Sequence, residues 1–570
     1  MSKKTKEYPL YEVKPFGSIK EMLAMAADED GDKAAYKFRK NGEIKTVTFS
    51  EFRNETLALG TGIASLGLAD KHVACLGENS YRWIVTYLTM LSASGVYVPV
   101  DKELPLADII TVLNHSESEL LFYSAKYEEK LKANRDAFPN IKYFIGFDRT
   151  ESEGEFLSYD EILAKGQALL EAGNTDFTSM QTDHYGMKML VYTSGTTGMA
   201  KGVMLSEHNI ASIVYYGLQV ATIFDVGLSV LPYNHTYEAV AGLLVAIHHR
   251  STLCINENLK TVLKNLNEYK PDYIYLVPAF AEVFYKKIWA TAKQKKQDTL
   301  LKTLIKTSNS LRKMGIDMRR TLFKSVIANF GGNLREIVCG GAPIRPEIGE
   351  FFDSIGIPLL GGYGITECSP LVSVNRFETN DFSTAGTVLP CCEVRIDKPD
   401  ENGEGEILVK GDIVMLGYYK NPELTAEVLV DGWFYTGDFG KFNENNLLMI
   451  TGRKKNLIVL SNGKNVFPEE IENYVQSIPY VTEVTVYSLK DGKGLESALA
   501  AEVYCDPERF AELGITELEA TIKEDVKKNL SQLPSYKQIA RIYIRDEAFE
   551  KTTTNKIKRS SVKFKDTETI

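Results

Sequence analysis

Between His72 and Asp101 the chain alternates in a way that leaves few folds open. HVACLGEN is an apolar run of strand length. SYRWIVTYLTMLSASG follows with apolar residues at helical spacing, and VYVPVD is a second strand-like run. Strand, helix, strand is a βαβ unit, whose crossover joins parallel strands. LADIITVLNHSESELLFYS continues the alternation, and the same pattern extends from about 45 to 360. It predicts an α/β fold with a parallel-rich sheet covered by helices on both faces. Upstream, KTVTF (45–49) alternates like a strand. Thr48 and Glu51 then stand at capping-box spacing before EFRNETLALGTGIASLG, which reads as a helix.

The pattern changes after 390. EVRID, GEILVKG and NLLMITG are short strands among Gly, Asn and Asp turns, and predict a small β subdomain within 390–450. After Gly452 a last unit begins. EEIENYVQSI reads as a helix with Pro468 at its start. EVTVYSLK and SALAAEVYC read as strands, TELEATIKEDVKKNLSQ as a helix and ARIYIRD as a strand. The expected organisation is a large, multi-subdomain N-terminal domain over 1–452 and a small α+β domain over 453–570.

Within the α/β region, YTSGTTGMAKGV (192–203) reads as a polyphosphate loop. Thr193, Ser194, Thr196 and Thr197 supply hydroxyls. Gly195, Gly198 and Gly202 let backbone N–H groups approach an anion, and Lys201 adds a compact positive charge. MKMLVY (187–192) before it is a strand-type run. The run from Ser206 onward reads as a helix, with Ser206 as N-cap. Strand, loop, helix is therefore the expected context. The pattern is not the P-loop G-x-x-x-x-G-K-[ST]: counted from Gly195, Ala200 replaces the second glycine and Gly202 replaces the metal-binding Ser/Thr.

Composition excludes several classes. The 66 basic and 76 acidic residues give −10, against wholesale nucleic-acid binding. Seven cysteines form no C-x-x-C pair, which suits a reducing compartment. The seven histidines form no zinc motif. The start, MSKKTKEYPLYEVKPF, has no apolar core of a secretory signal. The uncharged run 209–224 is too short to span a bilayer. A cytoplasmic protein is expected, resting at most on the inner face of a membrane.

The 192–203 loop closely resembles the signature phosphate loop of the adenylate-forming (AMP-binding) superfamily. The resemblance covers about 30 to 565, and other motifs follow in order. VCGGAPI (338–344) resembles the segment bordering adenine, which implies Gly341, Ala342 and Pro343 at the base. GGYGITE (361–367) resembles the next motif. There Gly362, Tyr363 and Gly364 approach adenine with Tyr363 stacking, Thr366 contacts phosphate, and Glu367 holds Mg²⁺ together with Thr193. YTGD (435–438) resembles the motif whose aspartate, Asp438 here, accepts from both ribose hydroxyls. GRKKNLIVLSNGKNVFPEEIE (452–472) resembles the domain junction. It implies Arg453 at ribose or phosphate, Lys455 at the hinge, and Asn462 and Gly463 near the pantetheine arm of CoA. FEKTTTNKIKR (549–559) resembles the motif with the adenylation lysine, Lys556, although Asn555 stands where Gly is usual. LPYNH (231–235) resembles the motif that places a residue, His235 here, beside the carboxylate. The gating Trp found four residues later in some long-chain members is Ala239 here.

The resemblance is strongest to bacterial long-chain fatty acid–CoA ligases. It implies ATP with Mg²⁺, a carboxylic acid and CoA as reactants, and a reaction through an acyl-adenylate. GGAPIRPE, the helical segment around 280–330 and the apolar run AVAGLLVAI after His235 favour a medium- to long-chain fatty acid. An acyl-carrier protein as acceptor, or another aryl or short-chain acid, stays open. A P-loop NTPase is disfavoured by the broken Walker pattern, and a silent acyl-binding protein by Lys556, Glu367 and Asp438. Oligomeric state is not legible.

One segment stands apart in charge. Residues 286–324 hold twelve basic residues against Asp298 and Asp317, in a chain whose net charge is −10. Leu300, Leu301, Leu304 and Leu311 recur at helical spacing. The segment reads as a solvated helical hairpin or as a docking face for an anionic membrane.

Overall fold

In the computed structural model, residues 8–193, 200–461, 464–490, 494–507, 510, 513–551 and 557–565 are described. The βαβ unit forms as its pattern predicts. Strands His72–Leu76 and Val96–Val100 run parallel, in register His72 to Val96, with helix Tyr81–Ser92 between them. That helix is buried along nearly its whole length, so it lies inside the protein. Helix Phe49–Ala64 starts at the expected capping box. The Glu51 N–H donates to Thr48 Oγ1 (3.2 Å), and the Thr48 N–H donates to Glu51 Oε2 (2.8 Å).

The strands of the α/β region divide between two parallel-rich sheets. The first has nine strands in the order Thr387–Val388, Ser373–Val374, Leu359–Tyr363, Glu336–Cys339, Tyr273–Leu276, Val226–Ser229, Thr252–Ile255, Ala34–Lys40, Glu43–Thr48. Its centre is parallel, with antiparallel strands at both edges. The second has eight strands and contains the βαβ unit. It runs from Gly417–Tyr418 through Lys201–Ser206, Met187–Thr193, Val96–Val100, His72–Leu76, Leu120–Tyr123 and Tyr143–Gly146 to Phe156–Ser158. Strand periodicity shows which face is buried but not which distant strand is the neighbour. Ala34–Lys40 pairs with Thr252–Ile255, more than 200 residues away.

The glycine-rich loop has a different context from the one its sequence suggests. Lys201–Ser206 is a strand, antiparallel to Met187–Thr193, with Thr193 opposite Lys201. The loop therefore joins two strands of a hairpin, and no helix begins at its end. The helix starts at Glu207 with Ser206 as its N-cap, as the sequence predicts, in a capping box with Asn209. The reason is in KGVMLS: Val203 and Leu205 point to a buried face, and Tyr418 offers a further strand beside Val203. That sheet pairing holds six residues as a strand between the loop and the helix.

The chain forms two compact units. One comprises 1–394, 409–434 and 443–448; the other comprises 395–408, 435–442 and 449–570. The second unit contains the expected α+β elements. Strand Val481–Lys490 pairs antiparallel with Glu496–Cys505, which pairs parallel with Ile539–Arg545. Helices Pro468–Gln476 and Leu518–Leu530 bury Ile471, Val475, Ile522 and Val526 against Val484, Val486 and Val503. Pro468 is the first helical residue, where its missing N–H costs no hydrogen bond.

Candidate functional site

The hairpin stem of the glycine-rich loop lies beside a strand that reaches Glu367. Strand Gly417–Tyr418 lies antiparallel to Lys201–Ser206, with Tyr418 opposite Val203. The Tyr419 N–H donates to the Gly202 carbonyl (2.8 Å) and the Leu416 N–H to the Met204 carbonyl (2.9 Å). From this strand the Tyr418 hydroxyl donates to Glu367 Oε1 at 2.9 Å. Lys201 Nζ stands 5.3 Å from the centre of the Tyr418 ring. Burial, then the charge of Glu367, raises the Tyr418 phenol above its ordinary value, so it remains a donor. Tyr418 thus links the loop lysine to the carboxylate. Its sequence context, GYYKN, carries no signal beyond two adjacent aromatics, and sequence reasoning missed it.

Glu367 lies in the short 3₁₀ turn Thr366–Cys368, which carries Thr366 as well. Its carbonyl accepts from the Met415 N–H (2.9 Å). One carboxylate oxygen is taken by Tyr418, and Oε2 has no hydrogen bond among the described residues. No group of three or more His, Cys, Asp or Glu that could hold a metal occurs among them. Mg²⁺ arriving with a nucleotide needs only one or two protein oxygens beside phosphates and water. An oriented glutamate with an open oxygen, on the turn that carries Thr366, fits that demand. Thr193 ends its strand opposite Lys201, half-buried. Ser194, Gly195, Thr196, Thr197 and Gly198 lie outside the described residues.

The two glycine motifs meet at one cavity. It has a volume of about 90 Å³ and includes Gly340, Gly341, Gly362, Tyr363 and Gly364 in its wall. The rest of the wall is largely apolar, with Ile213, Ala241, Val245 and Leu371. Gly341 has φ +83°, a conformation costly for other residues, so backbone shape alone requires glycine there. Gly364 is required by packing: a Cβ there would lie 1.6 Å from the Pro370 carbonyl oxygen. Tyr363 is buried, while Ala342 and Pro343 are exposed.

Two residues before the cavity-lining Tyr237 stands His235, half-buried. Its carbonyl accepts from the N–H groups of Glu238 (3.1 Å) and Ala239 (3.0 Å). Asn79 holds the preceding loop, donating to the Leu231 carbonyl (2.7 Å) and accepting from the Tyr233 N–H (3.1 Å). The apolar run after His235 is a π-helix, Tyr237–Leu244, followed by α-helix Val245–His248. A π-helix is rare and often marks a functional site. Ala239, at the expected gate position, is fully buried in it.

Glu238 is 1 % exposed in this π-helix. It shares a hydrogen bond with the Ser229 hydroxyl, while its Oε2 has no hydrogen-bond partner among the described residues. Burial pushes its carboxyl up to about 8, with Ser229 opposing. The folded protein thus binds this proton more tightly than the unfolded chain. The associated stability is fully present below about pH 4.5 and is lost as pH rises through about 8. Glu238→Gln should flatten this slope and raise stability above pH 8 relative to the parent. Urea midpoints at pH 5 and pH 8.5 measure it; identical pH slopes in both proteins would show that Glu238 is already ionised in the fold.

The second compact unit carries the other predicted residues. Asp438, on strand Trp433–Phe442, is 3 % exposed and pairs through Oδ1 with Arg453 Nε at 3.1 Å. The Gly437 N–H donates to Glu406 Oε1 (3.2 Å), and Lys454 pairs with Glu406 Oε2 at 2.5 Å. Lys455 lies in the 3₁₀ turn Lys454–Asn456, directly after strand Leu448–Arg453. Asn462, Gly463 and Lys556 lie outside the described residues. The chain on either side of 552–556 is held firmly: Lys551 and Ile557 pair antiparallel, Lys551 Nζ reaches Glu483 (2.6 Å), and Arg559 pairs with Glu472 (2.5 Å).

The chain is similar to the long-chain-fatty-acid--CoA ligase FadD15 of Mycobacterium bovis, 29% identical over 85% of this chain and 81% of that protein. It is also similar to the chloroplastic long-chain-fatty-acid--[acyl-carrier-protein] ligase AEE15 of Arabidopsis thaliana, 26% identical over 97% of this chain and 86% of that one. Its fold matches the crystal structure of the anthranilate CoA ligase AuaEII with a TM-score of 0.76, at 17% identity over 96% and 97% of the two chains. The model of the AMP-binding enzymes matches residues 23–419, and this chain belongs to that family.

Proposed function

We propose that this AMP-forming ligase activates medium- to long-chain fatty acids and transfers them to CoA. The observation that carries the reading is the cavity at which both glycine motifs meet apolar side chains. It would set the start of an apolar acyl site against the segments expected to border adenine. The names of the relatives are in keeping with a fatty acid, and they include both CoA and acyl-carrier-protein ligases.

In the first half-reaction a carboxylate oxygen attacks the α-phosphorus of ATP, and pyrophosphate leaves. Lys201 and the loop hydroxyls of Thr193, Ser194, Thr196 and Thr197 would neutralise the triphosphate, helped by the N–H groups at Gly195 and Gly198. Mg²⁺ bound with ATP neutralises phosphate charge, and Glu367 with Thr193 would hold it. Thr366 would contact phosphate. Tyr363 would stack on adenine between Gly341–Ala342–Pro343 and Gly362–Gly364. Asp438, oriented by Arg453, would accept from the ribose hydroxyls, and His235 would position the acid. Lys556 would bridge the oxygens of nucleophile and α-phosphate, so proximity and electrostatics lower the barrier. In the second half-reaction the CoA sulfur attacks the acyl carbon, the thiol proton is released and AMP leaves. Rotation about Lys455 would exchange Lys556 for the thiol path, with Asn462 and Gly463 near the pantetheine.

The test is pyrophosphate release across a panel of short-, medium- and long-chain and aryl acids, with and without CoA. Expected is acid-dependent release that peaks for the fatty acids, with acyl-CoA formed only when CoA is present. A preference for aryl acids, or thioester formation only on an acyl-carrier protein, would overturn the substrate assignment.

Tyr418→Phe removes the hydroxyl that orients Glu367. A hydrogen bond to a charged group contributes about 1.5–3 kcal/mol, so kcat/KM for ATP should fall about tenfold or more. Added Mg²⁺ should restore part of the loss. A variant with the parent's Mg²⁺ dependence would separate Glu367 from the metal.

A further inference from the structure

Segment 286–324 carries its excess charge on helices that face solvent. Helix Pro278–Gln294 and helix Asp298–Lys313 are joined by a short connection. Of the twelve basic residues, the arginines are already engaged. Arg319 Nη1 pairs with Asp353 (2.7 Å) and Arg312 pairs with the same carboxylate. Arg320 donates to the carbonyls of Leu334 (2.8 Å) and Gly356 (3.2 Å). Lys286 approaches Glu282 at 3.8 Å. The remaining eight lysines are all exposed, and none has a carboxylate within ion-pair distance among the described residues. Lys287 and Lys293 lie on the first helix, and Lys295 and Lys296 in the connection. Lys302, Lys306 and Lys313 run down one stripe of the second helix, and Lys324 follows.

Exposed apolar side chains gather on the same segment. Of the fourteen large hydrophobic residues exposed among the described residues, five fall in the 36 positions from 283 to 318. They are Val283, Leu300, Met314 (74 % exposed), Ile316 and Met318. The last three follow the second helix in a loop that turns at Gly315, with φ +81°. The ring of Trp289 is covered by Lys302, 5.9 Å away, and no aromatic side chain of the segment is exposed.

We propose that helices Pro278–Gln294 and Asp298–Lys313, with loop 314–318, form a docking face for an anionic lipid bilayer. The unpaired lysines meet the headgroups, and Met314, Ile316 and Met318 enter the interface. Charge complementarity selects this partner. Unpaired ammonium groups on long stems suit a diffuse field of phosphates, and aliphatic tips among them suit the acyl boundary. Nucleic-acid recognition would draw on free arginines and exposed aromatic rings, which the segment does not offer. The field acts within a Debye length of about 8–10 Å, so binding is reversible and weakens with salt.

The test is co-sedimentation with vesicles of phosphatidylcholine alone and of phosphatidylcholine mixed with phosphatidylglycerol, at low and high salt. It needs no substrate, so its failure is separable from failure of the proposed activity. Expected is binding to the mixed vesicles only, lost at high salt. Each lysine near an anionic surface is worth roughly fivefold in partitioning, so reversing Lys295, Lys296, Lys302 and Lys306 to Glu should abolish it. Met314→Ser with Ile316→Ser should weaken binding while leaving its salt dependence. Melting curves matched to the parent's establish that both variants fold. Equal binding to neutral vesicles, indifference to salt, or unchanged binding after charge reversal overturns the proposal. Tighter binding to duplex RNA than to the mixed vesicles also overturns it.

Discussion

Lys556→Ala is expected to reduce acid-dependent pyrophosphate release at least a hundredfold. A cation that bridges nucleophile and α-phosphate acts on charge developing in the transition state. Removing one such contact typically costs about 2.7–4 kcal/mol. The second half-reaction does not use that cation, so the variant should still convert acyl-adenylate supplied from outside into acyl-CoA. The fold itself should hold. The neighbouring chain is fixed by Lys551 on Glu483 and Arg559 on Glu472, and neither pair involves Lys556. Pyrophosphate exchange and single-turnover thiolation separate the two steps. Release near the parent rate would remove Lys556 from the role proposed for it.

Lys455→Pro should produce the opposite imbalance. Proline fixes φ near −65°, and Lys455 sits in a single 3₁₀ turn between strands Leu448–Arg453 and Ile458–Val459. If catalysis requires the backbone to rotate at this position, the restriction traps one conformation. Adenylation should persist within a few-fold, whereas acyl-CoA formation from the adenylate should fall by two orders of magnitude or more. Lys455→Ala, which frees the backbone, should leave both steps nearly unchanged. Equal losses in both half-reactions of the proline variant, or a deficit shared by the alanine variant, would deny Lys455 a hinge role.

Local features of the fold could be read from the sequence because their causes are local. The capping box at Thr48 and Glu51, the proline opening helix Pro468–Gln476 and the βαβ unit after His72 rest on residues a few positions apart. The hairpin at the glycine-rich loop was not legible in this way. KGVMLS becomes a strand because Met187–Thr193 and Tyr418 flank it, and Tyr418 is over 200 residues away in sequence. The division into two sheets and the π-helix after His235 likewise depend on partners that periodicity does not name.

The candidate site divides along the same line. Lys201 and Glu367 could be chosen from their motifs, but the tyrosine joining them could not, since it acts through a two-residue strand. The buried acid Glu238 escaped for a related reason. An isolated glutamate in an apolar run looks like a surface residue of a helix until the sheet beneath it supplies Ser229.

The hairpin also gives the loop a parity that a helix would not. Side chains alternate along a strand, so any change of length between Lys201 and the capped start of the helix at Glu207 counts in twos. One inserted residue would turn Lys201 from the ring of Tyr418 to the opposite face. Two would restore its direction and merely lengthen the arm. Natural variation in this stem should therefore be even in length.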